Sequence, residues 1–249
     1  MAVNHKFKDF DFKDGFTTTN VILKTSYNPQ VLILGTFNPL TNEEDNMADF
    51  FYGRNWFWTC MFNLFHHQAI HLLTQRKFTQ IPNYNPTLDE IKVFCEKYKL
   101  TFADLISTVL FNNNIEYNLH RNKALIVNEE YDLINDGDLG KLNAINQVEW
   151  TTEDLKKYIT ETPSLHTVYF TRQPAEPYTT QWTILKNHDY GRIVEFKKIF
   201  TPSGQGLRGR PRVNHLIHHW LFNENDNYDQ LNNDWLLEHN IDRNIFAIP

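Results

Sequence analysis

Residues Val31 to Leu40 read VLILGTFNPL. Four apolar residues in a row suit a strand covered on both faces, as in the middle of a parallel sheet. The run stops on Gly35 and then presents Thr36, Phe37, Asn38 and Pro39. In open parallel sheets, ligands sit beyond the carboxyl ends of the strands. Glycine there lets the backbone approach a ligand or turn sharply. The Asn38 amide donates and accepts, so it can orient a water or read a base edge. Pro39 stiffens the turn. An Asn-Pro turn that merely exits a strand is also common, so its meaning depends on what else the chain brings to that point.

Working outward, short apolar runs read as buried strands and 3.6-period runs as helices. Residues 30–35 are a central strand and 55–73 a long helix. Residues 87–100 form a second helix, with Thr87 as N-cap and Glu90 completing a capping box. TFADLIST (101–108) reads as a second strand, 151–159 as a capped amphipathic helix, 165–171 and 192–200 as strands, and 212–222 as a closing helix. Strands alternating with helices indicate an α/β domain with a mostly parallel sheet. The polar, Asn-rich stretch 112–148 reads as an insertion or a long irregular connection. The acidic tail 223–249 carries Trp235, Leu236 and Leu237, so part of it is expected to dock.

Composition narrows the function classes. The 249-residue chain is 41% hydrophobic, enough for a normal core. It has no window of about 18 apolar residues, so no membrane span is expected. The charged N-terminus lacks an apolar h-region, so a cytoplasmic protein without a signal peptide is expected. Cys60 and Cys95 are too few for an iron–sulfur cluster or an all-cysteine zinc site, and read as buried reduced thiols. The pairs His66–His67 and His218–His219 lack zinc-site spacing with any partner and are assigned to helix surfaces or edges. No metal and no cofactor is expected. Neither a phosphate-binding G-x-x-x-x-G-K-[ST] nor a G-x-S-x-G occurs, which lowers phosphoryl transfer and α/β-hydrolase chemistry.

Net charge is −6, against nucleic-acid binding as a whole-surface property. Between 186 and 212, however, Lys186, Arg192, Lys197, Lys198, Arg208, Arg210 and Arg212 face Asp189 and Glu195 alone. This basic segment can be a solvated face or a polyanion-binding one. Inside it, TPSGQGLRGRPR (201–212) holds a formal G-x-G-x-x-G at Gly204, Gly206 and Gly209. It follows the last strand, so it lacks the βαβ unit of a dinucleotide fingerprint. Such a loop can bond phosphates through backbone N–H groups and push an apolar wedge into a base stack. A further candidate is DFFYGRNWFW (49–58). Asn55 suits an N-cap, and Trp56, Phe57 and Trp58 suit a core. Phe51 and Tyr52 are harder to explain as core, and exposed rings beside a glycine turn suit stacking on a flat base.

Taken in order, these segments resemble the uracil-DNA glycosylase superfamily, closest to its mismatch-specific uracil/thymine and hypoxanthine branches. LILGTFNPL is similar to an apolar strand ending in a G-I-N-P-G or G-S-F-P-G turn. FFYGRNWFW resembles an aromatic pair followed by an R-N-x-F-W helix start. LTFADLIS resembles a GIALWDVL-type strand, and TVYF an AVFF-type strand. FTPSGQGLRGR resembles an N-P-S-G-L-x-R loop. The resemblance spans residues 28 to 222. The first turn is one residue longer than the simple form, the spacer before Arg54-Asn55 is shortened, and Gln205-Gly206 is inserted in the last loop.

The resemblance implies one domain over 1–249: a three-layer α/β/α sandwich around a central, mostly parallel four-stranded sheet. It implies a monofunctional DNA glycosylase that flips a base out of DNA and hydrolyses its N-glycosidic bond. Asn38 and Asn55 are the implied catalytic pair. One positions water or the sugar, and the other contacts the base or organises the turn. Gly35, Thr36, Phe37, Phe51 and Tyr52 are the implied base contacts. Ser203 and Gly204 would pinch a phosphate, Leu207 would act as the wedge, and Arg208 and Arg210 would contact DNA. No lysine is placed for a Schiff base. Uracil or hypoxanthine is the default substrate. A bulky hypermodified cytosine in phage DNA, excised in defence, is the alternative. A non-catalytic nucleic-acid-binding protein and a small-molecule nucleoside-binding or hydrolysing protein are the remaining readings.

Overall fold

The structure is a computed structural model that describes residues 2–13, 15–40, 50–53, 56–67, 86–110, 136–203, 212–223 and 227–246. Its centre is a four-stranded sheet. β4 (Val31–Gly35) lies between β5 (Leu100–Asp104) and β8 (Thr167–Phe170), with β9 (Glu195–Lys198) on the far edge of β8. All pairings in it are parallel. β4 is buried along its whole length, as its unbroken apolar run requires. Its alternate residues face opposite layers: Val31 and Ile33 join one hydrophobic cluster, Leu32 and Leu34 the other.

Helices cover both faces, giving the three-layer α/β/α arrangement. One layer is rich in aromatic rings. It holds α1 (Phe57–Phe62), α2 (Leu88–Lys97), α6 (Arg212–Phe222) and α7 (Asn233–Glu238). The other is mainly aliphatic and holds α3 (Asp136–Ala144), α4 (Thr152–Glu161) and α5 (Tyr178–Lys186). The capping box at α2 forms as read: Thr87 Oγ1 accepts the Glu90 N–H, and Glu90 Oε2 accepts the Thr87 N–H at 2.7 Å. The tail docks through Trp235 and Leu236, which are buried, while Leu237 faces outward.

Four expectations are corrected. The long helix at 55–73 is α1 followed by a π-helical turn, Asn63–His67. There the Asn63 side-chain amide occupies the Thr59 carbonyl at 2.6 Å and competes with the regular backbone ladder; residues 68–73 lie outside those described. The strand at 101–108 is two strands. β5 ends at Asp104, and β6 (Ile106–Leu110) leaves for a second, antiparallel sheet of order β1-β6-β7, where β1 is Ala2–Asn4 and β7 is Val148–Trp150; β2 (Thr17–Thr19) and β3 (Ile22–Lys24) pair antiparallel with each other. The break occurs where partners change: Leu105 N–H bonds the Gly35 carbonyl, and the Leu105 carbonyl accepts from Thr151 N–H. Of the stretch read as an insertion or a long irregular connection, the described part carries α3 and the start of β7, so it is not irregular chain. Thr151 does not cap α4; its hydroxyl donates instead to the Asp104 carbonyl at 2.7 Å.

Candidate functional site

The carboxyl end of the sheet opens into a cavity of about 810 Å³. Gly35, Thr36, Phe37 and Asn38 form its floor, Phe51, Tyr52 and Gly53 one wall, and Thr171 to Ala175 another. Asp104, Thr201, Pro202, Ser203 and Tyr228 complete the lining. Seven of the twelve residues read as functional from the sequence therefore meet at one place: Gly35, Thr36, Phe37, Asn38, Phe51, Tyr52 and Ser203. The other five, Asn55, Gly204, Leu207, Arg208 and Arg210, lie outside the described residues.

Gly35 is required by close approach. A Cβ at this position would stand 2.1 Å from Asp104 Oδ1 and 2.8 Å from the Tyr52 hydroxyl. Asp104 is its register partner on β5. The following turn is held from outside the sheet: Lys6 N–H donates to the Asn38 carbonyl, and Leu40 N–H to the Asn4 carbonyl, each at 2.8 Å. His5 and Pro39 form an antiparallel bridge. The N-terminal strand thus clamps the turn that bears Asn38.

Phe51 and Tyr52 do not stand as free, exposed rings. Phe51 is 2% exposed and stacks on Phe102 at 5.7 Å, so packing accounts for most of its surface. Tyr52 adopts the left-handed region, φ 61°, and its ring stacks on Phe57 at 4.7 Å. Its hydroxyl bonds Thr171 Oγ1 at 2.9 Å. Burial, and then the Asp104 carboxylate, push this phenol well above its ordinary pKa, so it stays protonated. One face of Tyr52 is committed to Phe57 and its hydroxyl to Thr171, so the ring is anchored rather than free to swing onto a base.

Asp104 is the functional candidate that sequence reading passed over. Its side chain is 8% exposed, and Oδ2 lies 2.7 Å from His5 Nε2. A carboxylate ending the fully buried run LTFAD, in register with the glycine of VLILG, was the available signal. His5 had none, because it meets Asp104 across 99 residues of chain.

The basic segment is partly structural. Arg192 donates to the carbonyls of Ile159, Thr162 and Leu165 at 2.6, 2.7 and 3.0 Å, and Lys197 lies 2.9 Å from Glu195. Arg172, which lines the cavity, sits 4.8 Å over the Tyr178 ring. Cys60 and Cys95 are buried, and burial pushes both thiols up. His66 is exposed on the π-helical turn, and His219 stacks on Phe200 at 4.3 Å. Among the described residues no group of His, Cys, Asp or Glu could hold a metal ion, and no helix is long and apolar enough to cross a membrane.

Comparison of the chain with family models, with curated proteins and with solved structures gives no match.

Proposed function

We propose that the protein is a monofunctional DNA glycosylase that extrudes a damaged or modified base and hydrolyses its N-glycosidic bond, leaving an abasic site. The observation that carries this reading is convergence. Three separate segments of the chain, 35–38, 51–52 and the distant Ser203, line one cavity beyond the carboxyl ends of a parallel sheet. These segments are those expected to hold a flipped base and an adjoining phosphate.

Cleaving the C1′–N bond builds positive charge on the sugar and negative charge on the departing base. Donors held in place stabilise that charge without reorganising. The Asn38 amide addresses water or the sugar, and backbone N–H groups of the 36–38 turn address base carbonyls. Unstacking costs a few kcal/mol, offset by contacts in the cavity. Uracil or hypoxanthine is the default substrate. The volume favours a second reading, a bulky hypermodified cytosine of phage DNA. About 810 Å³ falls in the upper part of the roughly 300–1,000 Å³ range of pockets that take drug-sized ligands.

The test is strand cleavage after alkali on duplexes carrying uracil, hypoxanthine, thymine opposite guanine, or glucosylated hydroxymethylcytosine. Abasic sites form on one duplex and are lost with Asn38→Ala or Asn55→Ala. Absence of cleavage on every duplex, with salt-sensitive DNA binding retained, points instead to a non-catalytic nucleic-acid-binding protein. Absence of both points to a nucleoside-sized ligand.

A further inference from the structure

We propose that Asp104 is the catalytic base of this site and that His5, on the N-terminal arm, is its positioning residue. This rests on the glycosylase reading and adds to it a carboxylate and a distant structural element. His5 is fully buried. Its Nδ1 accepts the Phe7 N–H at 2.9 Å, so the ring proton sits on Nε2 and is donated to Asp104 Oδ2 at 2.7 Å. That bond fixes the carboxylate plane and turns Oδ1 over Gly35, beside the Tyr52 hydroxyl. The Asp104 carbonyl is held separately by Thr151 Oγ1. Oδ1 is therefore presented at the cavity floor, next to the turn that bears Asn38.

The arm is tied down along its length. β1 pairs with β6, His5 N–H donates to the Ser107 carbonyl at 2.7 Å, and Lys8 Nζ bonds Thr108 Oγ1 at 2.6 Å. Consecutive residues thus serve both halves of the site: His5 orients Asp104, and Lys6 N–H holds the Asn38 carbonyl. In the reaction, water oxygen bonds to C1′ while the C1′–N electron pair leaves with the base. Asp104 Oδ1 takes one proton from that water and releases it to the departing base through solvent, so the carboxylate is regenerated. Its negative charge also faces the positive charge that develops on the sugar.

The test uses the full chain and the duplex that wild type cleaves, with single-turnover rate, duplex Kd and melting temperature read in parallel. Asp104→Asn keeps an acceptor for His5 and the fold, and its cleavage rate falls by about 10²- to 10⁴-fold with Kd within about twofold of wild type. His5→Phe slows cleavage by about 10- to 100-fold through misplacement of Oδ1. His5→Gln, which retains a donor for Asp104 and an acceptor for the Phe7 N–H, restores most of the rate. Because His5 acts through Asp104, adding His5→Phe to Asp104→Asn slows the reaction no further. Wild-type rates in Asp104→Asn, or losses that multiply in the double variant, overturn the assignment and leave the glycosylase reading standing. A wild type that cleaves no duplex overturns both.

Discussion

The two layers that cover the sheet are built on different plans. In the aliphatic layer, α4 and α5 pack Leu155, Ile159 and Leu185 against Leu32, Leu34 and Val168. In the aromatic layer the ten- and eleven-residue helices α2 and α6 are joined by shorter pieces: α1, a π-helical turn and α7 have six, five and six residues. Helices this short are marginal alone, and they hold because large rings bury much area per residue. Phe57, Trp58, Phe102 and Trp220 contact one another at 5.1–5.8 Å in tilted and edge-on pairs. Regular helices cover one face by periodicity, and the other adds short segments that ring size holds in place. The cavity opens at the seam, where Phe37 leans on the aliphatic cluster and Tyr52 on the aromatic one.

The sharpest way to break this contrast is truncation in each layer. Trp220→Ala is expected to cost about 3–5 kcal/mol, because this buried ring meets Phe57 of the short α1 edge-on at 5.7 Å and its Nε1 donates to the Phe200 carbonyl. Leu155→Ala is expected at the lower end of about 2–5 kcal/mol, since one regular helix can settle into the gap. Urea unfolding of both variants measures the pair. Equal losses would mean that ring size does not hold the aromatic layer together.

At the seam, Gly35→Ala drives a Cβ into Asp104 Oδ1 and the Tyr52 hydroxyl. It is expected to lower single-turnover cleavage by about 10²-fold, roughly 2.7 kcal/mol of barrier, through displacement of both groups. A crystal structure of the variant would show the shifted carboxylate.

Away from the seam, Arg192→Ala tests what the basic segment is for. Its guanidinium serves three backbone carbonyls. Stability should therefore fall by about 1.5–3 kcal/mol while the salt dependence of DNA binding keeps its slope. A shallower slope would give Arg192 a phosphate contact. The smallest effect expected is that of Thr151→Val, which removes the buried hydroxyl bond to the Asp104 carbonyl. It should cost about 1 kcal/mol in thermal melts and leave β5 in place.

Legibility follows the same physical division. The strand 31–35 is readable because a strand buried on both faces must be apolar at every position. The start of α2 is readable because Thr87 and Glu90 satisfy orphan donors locally. The turn 35–39 is readable as a candidate site because glycine, amide and proline sit where a parallel sheet places ligands. The split at Leu105 is hidden, since apolar residues continue through it and only a change of hydrogen-bonding partners marks it. The burial of Phe51 is hidden because its partners Phe7 and Phe102 come from other segments. The arm at 2–8 is short and charged and carries no period, and its meaning lies in contacts with residues about a hundred positions away. The two openly chemical groups of that contact, an imidazole and a carboxylate, become a pair only in three dimensions.

The central claim is that a base is cut free at the floor formed by Gly35, Asn38 and Asp104. Its most direct measurement is mass spectrometry of small molecules released from modified duplexes by the wild-type protein. The account predicts one free, intact base, in amounts equal to the abasic sites formed, released about 10²- to 10⁴-fold more slowly by Asp104→Asn. No free base from any duplex, or equal release by Asp104→Asn, would contradict it.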